Sequence, residues 1–142
     1  MITEYVRMTA DELGRNFDVV RQSAAVTKEQ LLVELQSIPR AKLPAVIVCA
    51  DGGTVEESAT VLRMNLGLVV VAPFAANMDN RVRGALDALD AILGLFPPDR
   101  PRRLRASGGL WADYFLRRFY PLDIARDLAA FALEFELKTS TT

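Results

Sequence analysis

The sequence predicts a single α+β domain spanning residues 1–142, with a mixed or antiparallel β-sheet that includes a long hairpin and with helices packed on the sheet. Three observations carry this expectation. The run from Ser58 to Ala72 has strand character over about fifteen residues, on the order of 50 Å of extended chain. The segment from Leu128 to Lys138 alternates, with Ala129, Phe131, Leu133, Phe135 and Leu137 on one face and Ala130, Ala132, Glu134, Glu136 and Lys138 on the other. Two other stretches, around Leu31–Ile38 and Val82–Leu93, carry apolar residues at helical spacing instead.

The long run changes character halfway. From Val61 to Gly67 it alternates, with Leu62, Met64 and Leu66 on one face and Arg63, Asn65 and Gly67 on the other. From Leu68 to Ala72 it is apolar on both faces. Alternation implies a half-covered strand and a continuous apolar run implies cover on both sides. The expectation is a strand that leaves a covered core and outruns its own domain, so that its far part meets a partner.

The other elements follow in chain order. Thr9-Ala10-Asp11-Glu12 matches a capping box, and a short helix is expected to end near Gly14. Phe17–Arg21 is expected as a short strand. Thr27-Lys28-Glu29-Gln30 is a second capping box, with Val26 and Leu31 placed as a hydrophobic staple. Leu31, Leu35 and Ile38 then give a helix from Lys28 to Ser37 or Ile38, stopped by Pro39. Leu43 to Ala50 is a buried strand, and Asp51-Gly52-Gly53 marks the turn into the long strand. Asp79 or Asn80 caps a helix whose stripe is Val82, Leu86, Leu89 and Leu93. Arg83 and Asp87 form an i, i+4 pair on it, and Gly94 is placed at its C′ position. Prolines at 97, 98 and 101 make residues 96–103 extended or loop-like. Leu110 to Tyr120 is a strand, Pro121-Leu122-Asp123 a turn, and Leu128 to Lys138 the closing strand.

Composition narrows the function classes. The chain has 142 residues, 51% hydrophobic and 25% charged, which fits one globular core. Its net charge of −1 gives no global pull toward nucleic acid or anionic lipid. No apolar run approaches a membrane span, and the first residues lack the apolar core of a secretion signal. Histidine is absent, which removes Ser-His and Cys-His dyads and the commonest metal ligand. The single cysteine, Cys49, lies in an apolar strand and fits a small core residue. No phosphate loop, GxGxxG or GxSxG occurs. The expectation is a protein that is not an enzyme, with no cofactor and no bound metal.

Three groups of residues remain as candidates. Asp51, Glu56 and Glu57 share a glycine-containing connection and offer oxygen ligands, but their spacing matches no calcium loop. Arg100, Arg102, Arg103 and Arg105 crowd one proline-containing segment, with Arg117 and Arg118 nearby. Such arginines suit phosphates or a neighbouring subunit's carboxylates, and the chain's overall charge favours a protein partner. Trp111, Tyr114, Phe115, Phe119 and Tyr120 lie beside them. Arginines with large aromatics are typical of interfaces as well as of cores. The candidate subunit interface is therefore Val61, Arg63 and Asn65 of the long strand with Arg100, Arg102, Arg103, Arg105 and Trp111. On this reading Arg102→Glu with Arg103→Glu leaves folding intact and weakens assembly.

The capped helix from Lys28, Leu-Pro-Ala-Val-Ile-Val at 43–48, Asp51-Gly52-Gly53, the long strand ending Leu68-Val69-Val70-Val71, the helix ending Leu93-Gly94 and the strand Ala129 to Leu137 together resemble the tail-completion or tail-terminator proteins of tailed bacteriophages, including those of Mu-like prophages. The likeness covers roughly residues 17–138. It departs at the N-terminus, where relatives open with a longer amphipathic helix and this chain has Gly14. The resemblance implies a virion structural protein that forms a homo-oligomeric ring, a hexamer, on the head-proximal end of the tail tube. It further implies tail tube protein, sheath protein and a neck or head-completion protein as partners, DNA passing only through the ring, no membrane, and assembly in the host cytoplasm. A head–tail connector or other neck subunit is the alternative. In a heterologous ring each subunit offers two different faces, and a projecting hairpin with an arginine loop on the other side would fit.

Overall fold

A computed structural model of the chain describes residues 2–23, 28–55, 61–73, 83–122 and 128–140. Within these, the elements in order are helix α1 (Ile2–Leu13), strand β1 (Val19–Ser23), helix α2 (Lys28–Gln36), strands β2 (Ala45–Val55) and β3 (Val61–Pro73), helix α3 (Arg83–Leu95), and strands β4 (Arg102–Arg105), β5 (Trp111–Leu122) and β6 (Leu128–Ser140). The strands form one six-stranded sheet in the order β1-β2-β3-β6-β5-β4. Only β1 against β2 is parallel. The expected α+β class with a mixed sheet and a long hairpin holds.

The long strand sits at the centre of that sheet. Its change of character follows from what covers each face. Leu62, Met64, Leu66, Leu68 and Val70 all point to one side, where they pack with Tyr5, Met8 and Leu13 of α1, Ala88, Leu89 and Ile92 of α3, and Leu133, Phe135 and Leu137 of β6. Val69 and Val71 point to the other side and join a second cluster with Leu35 and Ile38 at α2 and Ala45, Ile47 and Cys49 of β2. So α2 covers the second face only near Val69 and Val71, and beyond Gly67 that face carries exposed Arg63 and Asn65. The half-alternating pattern is the footprint of one short helix.

The strand does not outrun its domain. β6 pairs with it from Val61↔Ser140 to Pro73↔Leu128, and β2 pairs with it from Val55↔Leu62 to Ala45↔Val71. The expected pairing of Val61–Gly67 with Leu43–Ala50 is therefore shifted, because the turn is elsewhere. Asp51-Gly52-Gly53 is not a turn but part of β2, which bulges between Ala50 and Gly52 and continues to Val55. Glycine inside a strand marks such a bulge as readily as a turn. The connection at 56–60, with Glu56 and Glu57, lies outside the described residues, as do Val26 and Thr27 of the second capping box and Asp79, Asn80 and Val82 ahead of α3.

Three local expectations are corrected. Thr9 does not cap a helix; it lies inside α1, fully buried, where its hydroxyl bonds the Tyr5 carbonyl at 2.8 Å and the Tyr114 hydroxyl at 2.6 Å. The opening helix is thus a twelve-residue amphipathic one, and Gly14 follows it rather than shortening it. Gly94 does not stand at C′ but within α3, which runs to Leu95. Its terminal carbonyl instead accepts a 2.7 Å bond from Arg102. The third correction is at Pro121 and Leu122, expected in a turn: both belong to β5, which runs to Leu122. Arg102–Arg105, entered from the segment expected to be extended or loop-like, is a strand paired with Tyr114–Trp111. The β4–β5 connection turns through Gly108 and Gly109, both at φ near +80°, where a side chain would be strained.

The central position of β3 makes a direct prediction. Leu66 is fully buried between the helices and Phe135. Leu66→Asp is expected to lower the free energy of unfolding by ~3 kcal/mol or more in urea denaturation. A midpoint equal to the parent's would mean that this face is not the core.

Candidate functional site: an arginine-rich sheet face

Cross-strand register converts scattered charges into one surface. On the side of the sheet away from α1 and α3, Arg63 of β3 lies beside Lys138 of β6, Lys138 beside Asp113 of β5, and Asp113 beside Arg103 of β4. This row crosses four strands with three cations and one carboxylate. The next row is Asn65, Glu136 and Phe115, and the one after it is Gly67, Glu134 and Arg118. Then come Val69, Ala132 and Tyr120. The face therefore grades from apolar beside α2 to cationic at the far end.

A bulge in β5 shapes this surface. Between Leu116 and Arg118 the register shifts, so Arg117 is an extra residue. Before the bulge Trp111, Asp113 and Phe115 share the open face; after it Arg118 and Tyr120 do. If Arg117 instead took a regular place in the alternation, with no bulge, Arg118 would point toward the helices.

Each carboxylate on the face is held by arginine. Asp113 accepts two bonds from Arg103, at 2.7 and 2.9 Å. Glu134 accepts a pair from Arg118 and a 3.1 Å bond from the Tyr120 hydroxyl. Glu136 accepts from Arg117 at 3.1 Å and lies 3.6 Å from Arg63. Three guanidinium groups also lie over rings: Arg103 at 4.1 Å from the Trp111 centroid, Arg117 at 5.4 Å from Phe115 and Arg118 at 4.8 Å from Tyr120. These stacks hold flexible arginines in fixed positions, which lowers the entropy lost when a partner binds. Arg103 holds the Asp113 carboxyl below the usual aspartate range, and Arg118 does the same for Glu134. Counting Arg63, Lys138, Arg103, Arg105, Arg117 and Arg118 against Asp113, Glu134 and Glu136, the face carries a net charge of +3 in a chain of net −1.

The expected interface residues separate into three groups. Arg63, Asn65, Arg103, Arg105 and Trp111 do meet on this face. Val61 starts β3 in line with them, beside Ser140. Arg102 points the opposite way, toward the helices. There it binds buried Glu12 at 2.6 Å, caps α3 through the Leu95 carbonyl at 2.7 Å and lies 5.8 Å from the Phe96 ring centroid. Arg102→Glu would set a carboxylate against Glu12, so the double substitution considered from the sequence would not leave folding intact. Arg100 is exposed in the turn before β4.

Of the aromatic cluster, Tyr114 is core: it packs against Phe96 and Phe135, and burial raises its hydroxyl pKa. Phe115 and Tyr120 belong to the open face, and Phe119 is 49% exposed on the helix side of the sheet. The sequence alone did not single out Asp113 of β5 or Glu134, Glu136 and Lys138 of β6; the alternation of the last three is visible, but the partners of all four depend on register. Among the described residues no group of three His, Cys, Asp or Glu side chains is placed to hold a metal ion, and no helix is long and apolar enough to cross a membrane. The side chains of Asp51, Glu56 and Glu57 lie outside the described residues.

No protein-family profile matches the chain, and no curated protein matches it. One solved structure, "Virion of native gene transfer agent (GTA) particle", contains a chain similar to this one at 16% sequence identity and a TM-score of 0.44, covering 82% of this chain and 87% of that one.

The Asp113 pair predicts a pH effect of definite sign. A carboxyl whose pKa is lowered on folding adds stability above its ordinary value of 3.8, and that stability is lost as pH falls through the folded value. Asp113→Asn is expected to lower the thermal midpoint near neutral pH. The gap between parent and variant should close as pH drops below 3.8, and a gap that persists at lower pH would show that the pair does not act through its charge.

Proposed function

We propose that this chain is a structural subunit of a phage-like virion, and within that class a tail terminator that caps the tail tube as a homo-oligomeric ring and joins it to the neck or head. The observation that carries the reading is the open sheet face: six cations, three carboxylates and three arginine-stacked aromatics on a rigid four-strand platform. A surface that is pre-ordered, amphipathic and net positive suits a protein partner with an acidic patch. The sequence resemblance supplies the kind of partner, which is the tube end and the neck. No catalytic or cofactor role is part of the proposal.

The interface role falls on Arg103 and Arg105 rather than on Arg102. Arg103→Glu with Arg105→Glu is expected to weaken binding to purified tail tubes by about tenfold or more in a pelleting assay, since like-charge contacts oppose docking. The thermal midpoint should stay within a few degrees of the parent's. Gold-labelled subunit should decorate the head-proximal tube end in negative stain, and particles made without the subunit should carry tails of irregular length. Label along the whole tube, or at the distal tip, would remove the terminator reading.

A further inference from the structure

The two edge strands of the sheet are short and sit at opposite ends of it. With β3 as the ruler, β1 lies alongside the stretch Gly67–Val71, because Val19–Ser23 pair with Ala45–Cys49, which pair with Val71–Gly67. On the opposite edge β4 lies alongside Leu62–Met64, because Leu104 and Arg102 pair with Ala112 and Tyr114, which pair with Thr139 and Leu137, which pair with Leu62 and Met64. Among the described residues this leaves two lengths of long strand without an outer neighbour. One is β5 from Phe115 to Leu122; the other is β2 from Ala50 to Val55. Each faces outward at the level where the opposite edge carries its short strand.

From this outline we infer that a second copy of this chain completes the sheet, with β1 of the next subunit lying against the free half of β5 while β4 of the first lies against the free half of β2 of the next. The two short strands do not overlap along the strand axis, so together they fill one strand position. Their directions agree as well. The chain of antiparallel pairings makes β4 run the same way as β2, and β1 is parallel to β2. The incoming β1 is therefore antiparallel to β5, and β4 is parallel to the neighbour's β2. Both pairings are permitted in a mixed sheet.

The free half of β5 also has a reason to be covered and a reason to be selective. Phe119 is 49% exposed at this edge, on the helix side of the sheet. In the level register it stands opposite Gln22 of the incoming β1, diagonal to Val20, a residue packed on that same side of its own sheet. The bulge at Arg117 and the charges of Arg117 and Arg118 are devices that bar arbitrary strands from an edge. They confine pairing to the short stretch from Phe119 to Leu122, about the length of β1. The contact is heterologous: one edge of each copy meets the other edge of the next, which generates a closed ring or an open filament according to the twist. The arginine-rich faces of successive subunits would then run on as one surface.

This inference rests on the self-assembly in the proposed function, and its test separates the two. One chain carries Phe119→Cys and another Gln22→Cys, each retaining buried Cys49; they are mixed and mildly oxidised. A covalent dimer is expected at about tenfold or more over the yield from Asn65→Cys mixed with Gln22→Cys, because pairing raises the local concentration only at the matched edges. In sedimentation velocity Phe119→Lys is expected to weaken self-association by about tenfold or more with the thermal midpoint unchanged. Equal cross-linking in the two mixtures, unaltered association of Phe119→Lys, or a strictly monomeric parent would each overturn the edge pairing. Label at the tail end with no cross-link would keep the terminator reading and remove only this contact; a cross-link in a subunit that never labels tails would do the reverse.

Discussion

From Val61↔Ser140 to Pro73↔Leu128, β3 and β6 pair without a bulge, while the pairings on either side, β2 with β3 and β5 with β6, are each interrupted once. That unbroken ladder is the constraint on which the rest depends. Because side chains alternate across a strand, it fixes Leu62, Met64, Leu66 and Leu68 on one side together with Leu133, Phe135 and Leu137. A one-residue slip of either strand against the other would put the two sets on opposite faces of the sheet. The helices α1 and α3 have a core to bury only while that register holds.

The same register makes the outer surface. Arg63 meets Lys138 and Glu136 only because β3 and β6 are locked, and Arg118 meets Glu134 only because the β5 bulge restores its direction. Exposed ion pairs of this kind contribute little to stability. Their consequence is position: arginines tied to carboxylates and rings present a fixed pattern of charge to whatever approaches. The inner side of the sheet uses its polar groups differently. Thr9 with Tyr114, and Arg102 with Glu12 and the end of α3, fasten α1, α3 and the β4–β5 hairpin to one another. Two neighbouring arginines, Arg102 and Arg103, thus do unrelated work because they point to opposite sides of one strand.

Much of this was legible in the chain and some was not, for identifiable reasons. β6 and the core half of β3 are patterned strongly enough for local periodicity to find them, and α2, though short, is marked by Leu31, Leu35 and Ile38 and stopped by Pro39. β4 is four residues among prolines, and only its pairing with β5 makes it a strand. Asp51-Gly52-Gly53 has turn composition, yet sheet pairing with β3 overrides it. Thr9 looks like a cap until Tyr114, far along the chain, offers it a partner. The arginines of the candidate face were visible as a cluster, but which of them share a face depends on strand direction and on the bulge at Arg117. Neither is written in local sequence. Two of the three carboxylates that hold them, Glu134 and Glu136, lie on β6, a strand that composition alone does not connect to them.

Native-state hydrogen exchange tests the central role of the β3–β6 ladder most directly. Amides of Leu66–Val70 and Leu133–Phe135 are expected to exchange only through global unfolding and to be the slowest in the protein, with β1 and β4 opening at lower free energy. Slowest exchange in β5 or in the helices, with β3 and β6 opening first, would contradict it.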